Sequence, residues 1–181
     1  MRGERHPSVP ATQHLRADVL SDLGRYGDAL TEIEALAPIQ TEVRGERRPS
    51  VLATRCLRAR VLTSLGRYGD ALTEIDAFAP IQAEVEGERH PSVLATRCLR
   101  ANMLNRPGRY GDALIEIDAF APIQAEVKGE RHPDVLTTRH LRADVLSHLG
   151  RYGDALTEID AFAPIQAEVQ GERHPNVLAT R

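Results

Sequence analysis

The sequence predicts an all-α solenoid of four 42-residue helix–turn–helix repeats followed by a partial fifth. Three observations carry this expectation. The string Gly-Glu-Arg-His/Arg-Pro begins at Gly3, Gly45, Gly87, Gly129 and Gly171, always 42 residues apart. Residues 45–86 and 129–170 are identical at 34 of 42 positions. Within each unit the apolar residues recur at helical rather than alternating spacing. The repeats run 3–44, 45–86, 87–128 and 129–170, with 171–181 as the partial unit, all within one repeat-array domain spanning 1–181.

The second unit illustrates each element in turn. Pro49 stands where a first-turn proline is tolerated, so helix A starts there. Val51, Leu52, Ala59, Leu62 and Leu65 then mark its apolar face. Gly66, free to take positive φ, ends it. A tight turn through Arg67-Tyr68-Gly69 leads to helix B, with Asp70 in its first turn, where a negative charge suits the helix dipole. Helix B repeats apolar residues at Ala71, Leu72, Ile75, Phe78, Ala79 and Val85, and Gly87 closes the unit. One such hairpin cannot bury its apolar face alone, so each repeat is stabilised mainly by its neighbours. Every helix B also carries a proline, at Pro38, Pro80, Pro122 and Pro164. An interior proline costs ~3 kcal/mol in an isolated helix. Its recurrence predicts a bend near Ala79-Pro80 in each unit. Pro107 replaces the residue equivalent to Leu65 and predicts a shorter third helix A.

Composition narrows the function. The chain is 41% hydrophobic and 27% charged but only 4% aromatic, with no Trp. Small contacts among Leu, Ala, Ile and Val therefore replace one large core. The formal net charge of −3 offers no basic excess for nucleic acid and no polybasic segment for an anionic membrane. No apolar run approaches the ~18 residues of a membrane span, and no signal-peptide core is evident. A cytoplasmic protein is expected. Lys128 is the single lysine among 23 cationic residues, a skew that GC-rich coding DNA produces and that points to a bacterium. Cys56 and Cys98 occupy equivalent positions in adjacent units, ~8–10 Å apart if their helices stack. That is too far for a disulfide, so both are expected as free thiols.

The segment Leu65-Gly66-Arg67-Tyr68-Gly69-Asp70-Ala71-Leu72 resembles the tetratricopeptide (TPR) signature at the turn between helices A and B. The lead-in His90-Pro91-Ser92-Val93-Leu94-Ala95-Thr96-Arg97 resembles the 42-residue TPR variant of kinesin light chains and large bacterial signalling proteins. The resemblance covers the whole chain and implies a TPR-like superhelix whose concave helix-A face holds a partner peptide or protein. It fails at one informative place. The variant carries paired asparagines where this chain has His14-Leu15, Cys56-Leu57, Cys98-Leu99 and His140-Leu141, so asparagine-based ligand chemistry is not expected. Arg16, Arg58, Arg100 and Arg142 occupy a position that resembles a TPR core leucine. Each is expected to bury its aliphatic stem and reach a carboxylate of helix B.

Differences between the repeats concentrate on helix A. The varied positions are His14/Cys56/Cys98/His140, Asp18/Arg60/Asn102/Asp144, Ser21/Thr63/Asn105/Ser147 and Asp22/Ser64/Arg106/His148. Their spacing of i, i+4, i+7 and i+8 makes one stripe, which the TPR resemblance places in the concave groove as the partner-binding surface. Diversification to read a partner explains the variation. Drift of an exposed stripe after duplication explains it equally. Outward positions of helix B such as Glu74 are also expected to be exposed yet hardly vary, which favours the groove. The stripe's chemistry is mixed in charge, so no single ligand charge is implied.

No catalytic or metal site is expected. His14, Asp18 and Ser21 lie along one helix and do not converge on a reacting atom. His140 and His148 stand two turns apart, ~12 Å by helix rise, and cannot share an ion with Asp144 between them. No phosphate-binding loop or nucleophile motif occurs, so no cofactor is implied. The array carries no polar capping helix, and Val177 and Leu178 would cover the last helix B only in part. Uncapped ends favour homo-oligomerisation, by end-to-end stacking or helix exchange. Such boundaries also suit a segment of a longer array or a consensus-like one.

Overall fold

The computed structural model describes residues 8–106 and 108–172. Pro107 itself, and the expectations resting on Val177, Leu178 and the partial unit beyond residue 172, lie outside the described residues. Eight α-helices and no strand occur among the described residues: α1 (Ser8–Asp22), α2 (Tyr26–Arg44), α3 (Pro49–Ser64), α4 (Tyr68–Glu86), α5 (Pro91–Asn105), α6 (Tyr110–Lys128), α7 (Pro133–His148) and α8 (Tyr152–Glu172). Odd-numbered helices are the A helices and even-numbered ones the B helices. The fold is an all-α solenoid of repeats, in which consecutive helices pack on one another within each compact unit described below.

The chain divides into two compact units, Met1–Leu99 and Arg100–Arg181. In the first, α1 packs on α2, α2 on α3 and α3 on α4. In the second, α6 packs on α7 and α7 on α8. The core positions repeat: Ala29, Ile33 and Leu36 on α2 match Ala71, Ile75 and Phe78 on α4, all buried. Leu52, Ala59 and Leu62 are buried as the periodicity implied, and so are Leu57 and Val61. Leu65 and Val85, assigned to the apolar faces, are exposed instead; the first caps α3 and the second lies in the last turn of α4.

The A–B turn is fixed by backbone geometry. Gly66 takes φ +73°, its N–H donates to the Thr63 carbonyl at 3.0 Å, and the Arg67 N–H donates to the Leu62 carbonyl at 2.9 Å. Those two bonds satisfy carbonyls that a helix C-terminus leaves orphaned, and they need a left-handed residue between them. Arg67 then donates through Nε to Asp70 at 2.7 Å. The same bond recurs from Arg25 to Asp28, Arg109 to Asp112 and Arg151 to Asp154. Helix B therefore begins at Tyr68, within the segment expected to be turn.

The prolines sit inside B helices that continue past them: Pro38, Pro80, Pro122 and Pro164 lie within α2, α4, α6 and α8. Helix α5 ends at Asn105, one repeat position earlier than α3 and α7.

Candidate functional site

The four arginines expected to reach helix B do so. Arg58 Nη1 lies 2.5 Å from Glu74 Oε2, Arg100 Nη1 is 2.9 Å from Glu116, and Arg142 Nη1 is 2.9 Å from Glu158. Arg16 Nη1 is 3.0 Å from Glu32, although its own side chain stays largely exposed. A second arginine completes the motif. Arg55 donates through Nε to Glu74 Oε1 at 2.6 Å, and Arg139 likewise to Glu158 at 2.7 Å. The guanidinium carbons of these two sit 5.6 and 5.7 Å from the ring centroids of Phe78 and Phe162, within cation–π range. Glu74 and Glu158 thus each accept from two guanidinium groups, one on each oxygen. This corrects the expectation for Glu74: its side chain is only 12% exposed. Its constancy follows from ion pairing within the repeat, and it lends nothing to the argument for a groove.

The stripe divides into an inner and an outer edge. At the inner edge, Thr54 gives its hydroxyl proton to the Ser50 carbonyl at 3.1 Å. Its oxygen therefore accepts from His14 Nδ1–H at 3.0 Å. Cys56 hydrogen-bonds Thr96 of the next repeat; burial pushes its thiol pKa up, and the Thr96 bond and Arg60 partly offset that. Ser21 is buried. Asn105 Nδ2 donates to Asp144 Oδ2 at 2.9 Å, from α5 to α7. His148 stacks on the Tyr110 ring with centroids 4.6 Å apart, and its Nδ1 lies 2.9 Å from the Asp144 carbonyl. The uniformly exposed stripe expected from spacing is thus corrected: His14, Ser21, Cys56 and Asn105 work at repeat junctions, because neighbouring A helices abut along one edge. Cys56 and Cys98 are free thiols, both half-buried.

The outer edge is more open. Asp22, Arg60, Ser64, Arg106, His140 and Ser147 are exposed, as is the other side of the stacked His148, and Asp18, Thr63 and Asn102 are half-buried. Thr63 and Ser64 bond back to the Ala59 and Arg60 carbonyls of their own helix. Among the described residues, no three His, Cys, Asp or Glu gather where a metal ion would fit. No described helix is long and apolar enough to cross a membrane.

Two equivalent clefts lie between a B helix and the next A helix. One of about 590 Å³ lies between α2 and α3, with Pro38, Gln40, Arg55 and Glu74 on its walls. The other, about 470 Å³, lies between α6 and α7, with Pro122, Gln124, Arg139 and Glu158. Arginine–glutamate pairs line both clefts, Arg55 and Glu74 in the first and Arg139 and Glu158 in the second.

Paired A and B helices of fixed period, joined by a left-handed glycine turn, define a class of α-helical repeat scaffold. Family models of the tetratricopeptide repeat match residues 8–74 and 136–161. The chain is a TPR-like repeat array. A solved putative kinesin light chain of Podosopora anserina with nearly identical TPR-like repeats is 27% identical over 94% of this chain and 80% of its own, with a TM-score of 0.77. A substituted form of it is 26% identical with a TM-score of 0.80 over the same shares. BtubC (BKLC) from P. vanneervenii is 18% identical over 92% of this chain and 66% of its own, with a TM-score of 0.81, a likeness of fold. No match is found among curated proteins. TPR repeats generally mediate protein–protein interaction, and scaffolds of this family are generally non-enzymatic.

Proposed function

We propose that this chain is a cytoplasmic, non-catalytic scaffold that binds a partner peptide or protein along the helix-A face, through the outer edge of the varied stripe. One observation carries the reading. The positions that stay constant between repeats have structural work, as Glu74, Gly66 and Asp70 show, whereas Asp22, Arg60, Ser64 and Arg106 vary and remain exposed. The inner-edge residues His14, Cys56 and Asn105 bond to the neighbouring A helix and so help shape the face. With both charges along the outer edge, the partner is a mixed-charge segment, extended or helical, bound with modest affinity. The net charge of −3 favours neither nucleic acid nor an anionic membrane as that partner.

The test captures partners from the source cell with the 181-residue chain as bait, beside a variant carrying D22A, R60A, S64A, R106A, S147A and H148A. The reading expects a specific partner whose affinity falls at least about 10-fold in the variant, with helicity unchanged, as loss of a few interface contacts implies. A partner held equally by both chains would refute it.

A further inference from the structure

One glutamine recurs along the B helices, and at Gln40, Gln82 and Gln124 its side chain is buried, with residue exposures of 2%, 3% and 1%. On α4, facing α5, the amide is fully employed. Thr96 donates its hydroxyl proton to Gln82 Oε1 at 2.8 Å, and Gln82 Nε2 donates to Glu86 and to Ser92 Oγ, both at 3.1 Å. On α2 and α6 the equivalent partners turn elsewhere. Thr54, which matches Thr96, donates to the Ser50 carbonyl and accepts from His14. Lys128 and Asp134, which match Glu86 and Ser92, pair with each other. The amide oxygens of Gln40 and Gln124 have no hydrogen-bond partner. A buried amide oxygen is destabilising until a donor reaches it.

Both glutamines stand in the walls of clefts. Gln40 lines the one of about 590 Å³ between α2 and α3, and Gln124 the one of about 470 Å³ between α6 and α7. Those volumes suit a small ligand. Pro38 and Val51 in the first, and Pro122 and Val135 in the second, give each an apolar surface. Charge excludes an anion. Among the described lining residues, Glu34, Glu42, Glu46 and Glu74 outnumber Arg55 and Arg58 in the first cleft. Asp118, Glu130 and Glu158 outnumber Arg139 and Arg142 in the second. The arginines are also committed: Arg55 and Arg58 to Glu74, Arg139 to Glu158, and Arg142 to Asp118 and Glu158.

We propose that each cleft binds an organic ammonium, its aliphatic stem against the proline and valine and its N–H donating to Oε1 of Gln40 or Gln124. A single amide oxygen suits a compact ammonium better than a guanidinium fork, whose two-pronged geometry matches carboxylates. The group arrives as a free diamine or as the lysine side chain of a peptide, and the chemistry of the site is the same for both. The inference is independent of partner binding along the helix-A face, since no outer-edge residue lines either cleft.

The experiment titrates the 181-residue chain with 1,5-diaminopentane by calorimetry and follows the side-chain amide signals of Gln40, Gln82 and Gln124 by NMR. Binding at both clefts is expected, with the Gln40 and Gln124 signals moving and the Gln82 signal still. Glutarate, of the same length and opposite charge, is expected to move none of them. Q40M/Q124M removes both acceptors while keeping side-chain length and net charge, so general attraction of cations is unaltered. It is expected to weaken binding at least about 10-fold, the scale of a hydrogen bond to a charged group, whereas Q82M leaves binding unchanged. Circular dichroism verifies the fold of both variants, and the NMR readout on the unaltered chain stands without them. A capped tripeptide with a central lysine separates the sources: if it moves the same two signals the site takes a side chain, and if only the diamine does the site takes a free amine. Signals of Gln40 and Gln124 that stay still with both amines overturn the proposal. Equal movement with glutarate, or affinity that survives in Q40M/Q124M, overturns it as well.

Discussion

Replacing Glu74 by glutamine tests the reasoning about the constant positions of helix B. The carboxylate accepts from Arg55 at 2.6 Å and from Arg58 at 2.5 Å. Its side chain is 12% exposed, against 21% and 29% for the arginines. Breaking a fully buried pair costs roughly 3–5 kcal/mol, whereas an exposed pair is worth about 0–1 kcal/mol. Glu74 lies between these limits. Glutamine keeps the shape and one acceptor oxygen but removes the charge, so a loss of about 2 kcal/mol is expected. For a chain of this size that lowers the melting midpoint by about 4–8 °C. The control is Glu84→Gln, whose partner Arg47 lies 2.7 Å away with both side chains mostly exposed. It is expected to cost less than about 0.5 kcal/mol. Thermal and urea unfolding followed by circular dichroism read both variants. Equal losses from the two would refute the claim that Glu74 is held constant by its ion pairs.

Further expectations follow from single residues. Gly66→Ala places a side chain at φ +73° and is expected to lower stability by about 1 kcal/mol, read by urea unfolding. Pro80→Ala restores an N–H to a helix that already runs from Tyr68 to Glu86. A gain of about 1 kcal/mol is expected; a loss would show that the packing requires a proline-induced bend. The Cys56 thiol is raised by burial, so less thiolate forms at a given pH. In a Cys98→Ser background its alkylation should be slower in the folded than in the urea-unfolded chain, with the rate still climbing above the ordinary thiol range. Because the folded state favours the neutral thiol, its contribution to stability holds at lower pH and declines as pH rises through the raised folded value.

Much of this fold is legible in the sequence because the repeat supplies its own internal comparison. Helix A begins at Pro49 and ends before Gly66, as the punctuation implies, since those two residues constrain the backbone directly. The reach of Arg58 to helix B is legible because the resemblance to TPR repeats puts this long cation at a core position, where it has few ways to be satisfied. The role of Glu74 is not, because periodicity places it on an outward arc and only the approach of Arg55 and Arg58 from helix A draws it inward. The same holds for Gln82, buried where it receives the Thr96 hydroxyl proton at 2.8 Å, since a pattern of apolar residues gives no weight to a buried amide. The stripe was legible as variable positions but not as two edges. Spacing along one helix defines a face, and only the adjacent A helix decides which half of it is covered.

The account depends on helix pairs that are stabilised by the pairs beside them, and a length series measures that most directly. Urea unfolding of the isolated unit 45–86, of two units 45–128 and of the whole chain should show little helix in the first, then cooperative transitions whose midpoint rises with each added unit. An isolated unit as helical as the whole chain, with the same midpoint, would contradict it.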